Sequence, residues 1–322
     1  MKNYKKSPSS GDFVVLPWMG FFIASFVLVS FRLSKSRVSG DDGSNHRLYL
    51  SLREKILDGE DTMMRKLILF DIDGTLLDPN KGILKSTKEA IQALQEAGHE
   101  VALATGRAPY YIDEVREALQ IDSFICFNGQ YVEVDQQVIY KKPIEKELLK
   151  QLFAFASSQG HSLIYMGAKE MKSTARRDRL MEDLFATVYV DGRRVERNDQ
   201  YFNEEEIYQA LLFCEEVEEA VYHDTLKDLT FVRWHPNCMD VISLGGSKAI
   251  GVEKYMEYRG YTKDQVYAFG DNLNDMEMLQ YVGHGVAMGN APDAVKQAAK
   301  YVTKAVGDDG IAYGLKKLGL IE

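Results

Sequence analysis

Cysteine, histidine and surplus positive charge are all scarce in this chain, and each scarcity removes a class of function. The 322 residues hold three cysteines, Cys126, Cys214 and Cys238. They are odd in number, far apart and form no CxxC pair. Neither a disulfide framework nor a zinc cluster is expected, and a reducing cytosol fits. The formal net charge is −9, from 39 Lys+Arg against 48 Asp+Glu. A nucleic-acid partner would call for a basic footprint, and none is expected here. An anionic substrate stays open, because a few local cations can dominate a cleft. Internal repeats and low-complexity tracts are absent. The remaining composition, 45% hydrophobic and 27% charged, is that of a globular chain with a real core, and its length fits about two domains.

Long apolar runs are also rare. One stands out, FVVLPWMGFFIASFVLVSF at 13–31, uncharged and just long enough to span a membrane. Lys2, Lys5 and Lys6 precede it, and Arg32, Lys35 and Arg37 follow, so charge sets no orientation. No small-residue cleavage site follows it, which argues against a signal peptide. Residues 1–62 therefore have two readings. They are a membrane anchor, or they are upstream DNA translated from a wrongly chosen start ahead of Met63-Met64. A membrane is a partner only on the first reading; the catalytic part is expected in the cytoplasm on both. No obligate protein partner is evident.

From Lys66 onward the pattern is regular. KLILF is a continuous apolar run, as in a strand buried on both faces. Ser86 and Glu89 have capping-box spacing ahead of a helix that stops at Gly98. HEVALA is a second strand ending in Thr105-Gly106-Arg107. A helix follows over about 110–119, and SFICF is a third strand ending at Asn128-Gly129. QYVEV and QVIYKK form a hairpin. Between 147 and 244 the pattern mixes. EKELLKQLFAFASSQG and NEEEIYQALLFCEE read as helices, and HSLIYM, ATVYV and LTFVRW read as strands. The alternation returns with the helix AIGVEKYMEYRG, the strands QVYAFG and HGVAMGN, and the helix PDAVKQAAK. The expected fold is α/β. A doubly wound, Rossmann-like parallel sheet comprises 64–146 and 245–322, and 147–244 is an inserted α+β cap.

In such sheets ligands bind beyond the carboxyl ends of the strands. Those ends deliver Asp71, Asp73, Thr105, Asp271, Asn274 and Asp275, with Lys248 opening a helix. Carboxylates that converge need a cation. An all-oxygen set without histidine points to Mg²⁺ rather than zinc. One carboxylate can attack phosphorus and the other can handle the proton. Lys248 and the Thr105 hydroxyl suit the equatorial phosphate oxygens. Gly74 permits the turn that returns Asp73 toward Asp71.

DIDGTLLD, ATGR, the lysine of GGSKAIGVEKY and GDNLNDMEML, in that order, resemble the four motifs of the haloacid dehalogenase-like (HAD) hydrolase superfamily. The place of the insert, and GVAMGNAPDAVK after it, resemble the Cof-type subfamily with its large α+β cap. The resemblance covers Lys66 to the C-terminus. It implies Asp71 as nucleophile and Asp73 as general acid/base. It implies Mg²⁺ on the Asp71 side chain, the Asp73 backbone carbonyl and Asp271. Phosphate would be bound by Thr105, Gly106, Lys248 and Asn274, with Asp275 behind them orienting Lys248 or a metal-bound water. The implied activity is Mg²⁺-dependent hydrolysis of small phosphomonoesters, such as sugar phosphates or phosphorylated cofactors, through an aspartyl-phosphate. The alternatives are a phosphotransferase of the mutase type with the same chemistry, and a membrane-tethered binder of phosphate ligands without turnover.

Other residues carry blander expectations. Arg107 binds substrate or neutralises the cleft. Asn128 shapes a turn, and Cys126 is core. Arg176, Arg177 and Arg179 lie on a solvated face of the insert, as do Glu204–Glu206, Glu215 and Glu216.

Overall fold

In the computed structural model, β1 (Leu67–Phe70) enters the sheet with every side chain buried. Ile68 and Phe70 pack into one apolar cluster, Leu67 and Leu69 into another. A strand apolar on both faces must be covered on both, and helices do the covering. The structure describes residues 65–78, 80, 82–175, 179–187 and 195–322, all within one unit, Glu60–Glu322. The segment 13–31 and the rest of 1–62 lie outside the described residues. Among the described residues no helix is long and apolar enough to cross a membrane.

After β1 comes α1 (Lys85–Glu96), which buries Ala90, Ile91 and Leu94. Its end is closed by Gly98 at φ +80°, with His99 N–H donating to Leu94 O at 3.0 Å. The expected capping box does not form. The helix starts one residue ahead of Ser86, whose hydroxyl instead donates to Asp309 Oδ1 at 2.6 Å, while Glu89 pairs with Lys85. A distant carboxylate outcompetes the local backbone N–H. Next come β2 (Glu100–Ala104), α2 (Asp113–Leu119) and β3 (Ser123–Cys126), the strands parallel to β1. The helix expected from 110 begins only at Asp113, behind a single 3₁₀ turn at Pro109–Tyr111. β4 (Tyr131–Val134) and β5 (Gln137–Lys141) form an antiparallel hairpin, turned by Asp135 and Gln136 at positive φ.

The insert supplies α3 (Lys146–Ser158), β6 (Ser162–Met166), β7 (Met171–Ser173), α4 (Arg179–Thr187), β8 (Gln209–Phe213), α5 (Ala220–Thr225), β9 (Leu229–His235) and β10 (Cys238–Ser243). Its sheet runs β7-β6-β8-β10-β9, antiparallel throughout. One expected helix is corrected: QALLF is β8, held between β6 and β10 with all five residues buried. Ladder pairing on both sides overrides the helical look of its Glu-rich flanks. Glu204–Glu206 and Glu215–Glu216 are exposed, but on turns rather than on a helix face. Of ATVYV, Ala186 and Thr187 end α4 and the rest lies outside the described residues. Arg176 and Arg177 also lie outside them; Arg179 is 77% exposed and meets Glu215 at 3.6 Å.

The chain returns through α6 (Lys248–Arg259), β11 (Val266–Gly270), α7 (Met276–Tyr281), β12 (His284–Ala287), α8 (Asp293–Ala298), β13 (Tyr301–Val302) and α9 (Gly310–Lys317). The eight-stranded order is β13-β12-β11-β1-β2-β3-β4-β5, parallel from β13 to β3. Strand order reverses at β1, so the crevice beyond β1 and β11 is the switch point where ligands bind.

The two sheets touch. One apolar cluster spans them, with Phe127 stacked on Tyr208 at 5.5 Å and Tyr131 edge-on to the same ring at 5.3 Å. The two connecting segments are tied together, Lys142 Nζ donating to Leu244 O at 2.9 Å and Ser243 Oγ to Pro143 O at 3.3 Å.

Candidate active site

Asp71 leaves the end of β1 with its N–H bonded to Phe269 O of β11, which fixes it at the switch point. Gly74, at φ +79°, then reverses the chain, and Gly74 N–H closes on Leu77 O at 3.0 Å. A side chain at Gly74 would run into the Asp271 carboxylate, so only glycine lets the two loops meet.

Lys248, the first residue of α6, is 0% exposed. Its Nζ lies 2.6 Å from Asp71 Oδ1 and 2.6 Å from Asp275 Oδ1. Asp275 spends its other oxygen on the N–H groups of Asp271 and Asn272, both at 2.9 Å. Asp275 thus holds both the lysine and the loop that carries Asp271. Burial pushes the Asp71 carboxyl well above the usual carboxylate range, Lys248 opposes this, and the neighbouring Asp275 and Asp271 add to it. Asp271 is pushed up to about 6 by burial and then by Asp275. Burial works against the Lys248 charge, yet Asp275 and Asp71 more than offset it and hold the ammonium above its ordinary value.

Thr105 ends β2, buried, its hydroxyl accepting from Arg107 N–H at 3.1 Å. Arg107 grips Asp73 with two bonds, Nε to Oδ2 at 2.8 Å and Nη2 to Oδ1 at 2.7 Å, while Nη1 donates to Tyr111 O. The guanidinium thus neutralises Asp73 in this structure.

Asn128 does shape a turn, at φ 52° and ψ 41°. Its amide does more. Oδ1 accepts from Asn274 Nδ2 at 3.0 Å, and Nδ2 donates to Asp240 Oδ2 at 2.9 Å and to Gln209 Oε1 at 3.3 Å. Asp240 Oδ1 accepts from Trp234 Nε1 at 2.8 Å. Gly106 is packed against the same amide, 3.1 Å from where its Cβ would stand. Gln209, Trp234 and Asp240 come from β8, β9 and β10 of the insert. Sequence reasoning missed all three. The signal for Asp240 was a lone acid inside the apolar run CMDVIS.

Asp71, Asp271 and Asp275 bring carboxylate oxygens within 4.8 Å of one another. Three carboxylates less one ammonium leave two negative charges in a buried site. The donors are oxygens, and Asn290 Nδ2 and Thr75 Oγ1 steady Asp271 from behind. That set fits a small hard divalent cation. Asp275 is the most heavily engaged of the three, Oδ1 with the Lys248 ammonium and Oδ2 with two backbone N–H groups, so Asp71 and Asp271 are the better placed side chains to hold it.

A separate groove of about 800 Å³ runs beside the β4–β5 hairpin, lined by Tyr131, Tyr140, Tyr201 and Tyr208 among others, and contains none of these residues.

Residues 68–315 match the sequence profile of the haloacid dehalogenase-like hydrolases, and the chain belongs to that family. It is 42% identical to YkrA of Bacillus subtilis (strain 168) over 260 residues, 81% of this chain and the whole of that protein. It is 31% identical to the 5-amino-6-(5-phospho-D-ribitylamino)uracil phosphatase YitU of the same organism, covering 78% of this chain and 96% of that one. Among solved structures, the subclass IIB sugar phosphatase BT4131 superposes with a TM-score of 0.72 at 31% identity, over 80% of this chain and 100% of that one. The protein is a phosphoric monoester hydrolase, built as an α/β core with a parallel sheet and an added antiparallel sheet.

Proposed function

We propose that the protein is a Mg²⁺-dependent phosphatase of small phosphomonoesters, sugar phosphates or phosphorylated cofactors, acting through an aspartyl-phosphate on Asp71. The observation that carries the reading is Lys248, buried and bonded at 2.6 Å to both Asp71 and Asp275. A binder of phosphate has no use for a carboxylate facing its anionic ligand; a nucleophile has. The named relatives support the substrate class, since one takes a ribityl phosphate and another a sugar phosphate.

Lys248 orients Asp71 through Oδ1 and leaves Oδ2 to attack phosphorus. Thr105, Gly106, Lys248 and Asn274 receive the phosphate oxygens. Mg²⁺, when held by the Asp71 and Asp271 side chains and the Asp73 carbonyl, supplies charge neutralisation for the phosphoryl group. Asp73 protonates the leaving oxygen and later takes a proton from the attacking water. The Arg107 fork occupies both Asp73 oxygens; proton delivery to the leaving oxygen requires Asp73 to release that fork and take up a proton from solvent, and the water step restores a proton to it. Asp275 positions Lys248 and the Asp271 loop.

The test measures phosphate release from a panel of phosphomonoesters, with Mg²⁺ and with chelator, against Asp71→Asn. Mg²⁺-dependent release that Asp71→Asn abolishes supports the reading. Release that survives in Asp71→Asn removes Asp71 as nucleophile. Transfer to an added alcohol with none to water makes the protein a phosphotransferase instead.

A further inference from the structure

The insert's sheet turns one face toward the core, and that face is apolar along most of its width. Ile164, Leu211, Phe213 and Cys238 belong to the cluster that also holds Ala108, Ile112 and Phe127 of the core. Asp240 interrupts it. Its neighbours across the ladders are Leu211 on β8 and Val232 on β9. The residue is 7% exposed. Its partners are neutral donors, the Asn128 amide and the Trp234 indole. Among the described residues no ion pair reaches it. Burial pushes its carboxyl up to about 7, with Asn128, Trp234 and the more distant Lys248 opposing.

A carboxylate set in an apolar face without a cation is costly unless something completes it. Its position says what. Asn128 links it directly to Asn274 and packs against Gly106, two residues that the proposed function gives to the phosphate. Asp240 therefore stands one side chain from the residues proposed to hold the phosphate, on the insert's side of the site. An ester held with its phosphate there extends its organic part toward the insert. Trp234, 39% exposed, opens beside Asp240 toward solvent.

We infer that Asp240 reads the organic part of the substrate: it accepts hydrogen bonds from hydroxyl or ammonium groups of the leaving alcohol and turns away leaving groups that carry negative charge. This rests on the phosphatase reading of the same site and adds the chemistry of the group that is released. The preference is for polyol and amino-alcohol phosphates over phosphorylated hydroxy acids and bisphosphates. A hydroxyl or ammonium on the substrate completes the carboxylate's hydrogen bonding, whereas a second anion meets it at close range across a low-dielectric interface.

Three alkyl esters test it, phosphoethanolamine, glycerol phosphate and 3-phosphoglycerate, with p-nitrophenyl phosphate, an aryl ester with a better leaving group and no donor, as the reference. kcat and KM are measured for wild type and for Asp240→Asn, which removes the charge at nearly constant shape. In wild type phosphoethanolamine and glycerol phosphate are expected to exceed 3-phosphoglycerate, which keeps the hydroxyl but adds a carboxylate, in kcat/KM by roughly tenfold to a hundredfold, from the repulsion between that carboxylate and Asp240. In Asp240→Asn the phosphoethanolamine to 3-phosphoglycerate ratio should fall by about tenfold or more, chiefly through KM. If all four esters fall by one common factor, Asp240 only fastens Asn128, and the inference is overturned. Should Asp240→Asn fail to fold, judged by circular dichroism and Tm, the wild-type panel decides. A wild-type preference within about twofold would overturn the inference while leaving the phosphatase intact. Wild type that releases phosphate from no ester defeats the phosphatase reading itself, a distinct result.

Discussion

The parallel sheet and the antiparallel sheet bring opposite surfaces to one cleft. The parallel sheet delivers charge: Asp71, Asp73, Arg107, Lys248, Asp271 and Asp275, each braced by a named partner. The antiparallel sheet brings an apolar face that Asp240 interrupts, the one carboxylate named on it among the described residues. Charge that must not move during a phosphoryl transfer is best mounted on strand ends pinned by their neighbours. Recognition of the released group needs only a surface that faces it. Damage on the first side should therefore affect all esters alike, and damage on the second should change the choice among them.

The largest expected effect follows from Asp71→Asn. It should lower kcat by about 10⁴-fold or more for every ester, with relative rates among esters preserved, because the nucleophile is common to all of them. Phosphate titrated calorimetrically into the variant should still bind. An ester that escaped the loss would break the division between the sheets.

Lys248→Met ranks next and is read in stability. It leaves Asp71 and Asp275 buried with their shared cation gone. Breaking a buried pair from one side costs about 3–5 kcal/mol, seen as a lower urea midpoint at unchanged m. An unchanged midpoint would mean that the two carboxyls share a proton once the lysine is lost.

Gly74→Ala should act on the cation more than on the fold. The backbone there is at φ +79°, and the new methyl meets the Asp271 carboxylate. The strain is about 1–2 kcal/mol, and the Mg²⁺ concentration for half-maximal rate should rise roughly tenfold. The order of preference among esters should not change, since nothing on the insert is touched.

How far the sequence speaks for each sheet follows the same division. Asp71, Thr105 and Asp271 each follow an apolar run, so their meeting at one sheet edge follows from parallel topology, while Lys248 arrives separately as the first residue of α6. The insert is harder. QALLF is an apolar five-residue run that fits helix or strand equally well, and only its pairing with β6 and β10 decides. Asp240, Gln209 and Trp234 are 31 residues or fewer apart in sequence but come from three strands, and their shared face depends on register. Ser86 fails for a related reason: its partner, Asp309, lies 223 residues away. Local chemistry is legible where the partner is local.

The smallest expected effect is in the pH dependence of choice. Burial in the folded protein pushes the Asp240 carboxyl up to about 7, above the usual carboxylate value near 3.8. The buried carboxyl thus binds the proton more tightly than one that water reaches. By linkage, the contact that buries Asp240 is favoured at low pH, weakens as pH rises between these values, and levels off above about 7. The groups facing Asp240 do not add titrations in this window. Trp234, Asn128 and Gln209 are neutral, Lys248 stays charged, and burial pushes the Cys238 thiol well above its ordinary value. An ammonium on the substrate takes the proton's place, so only esters without one should feel the loss. The ratio of kcat/KM for phosphoethanolamine to that for p-nitrophenyl phosphate should rise about two- to tenfold from pH 5.5 to pH 8. The phosphate's own second ionisation, near pH 6, largely cancels in that ratio because both esters carry it. In Asp240→Asn the ratio should be flat. A ratio that still climbs in the variant would move the titration from the antiparallel sheet to the parallel one, where Asp271 at about 6 is the group to pursue.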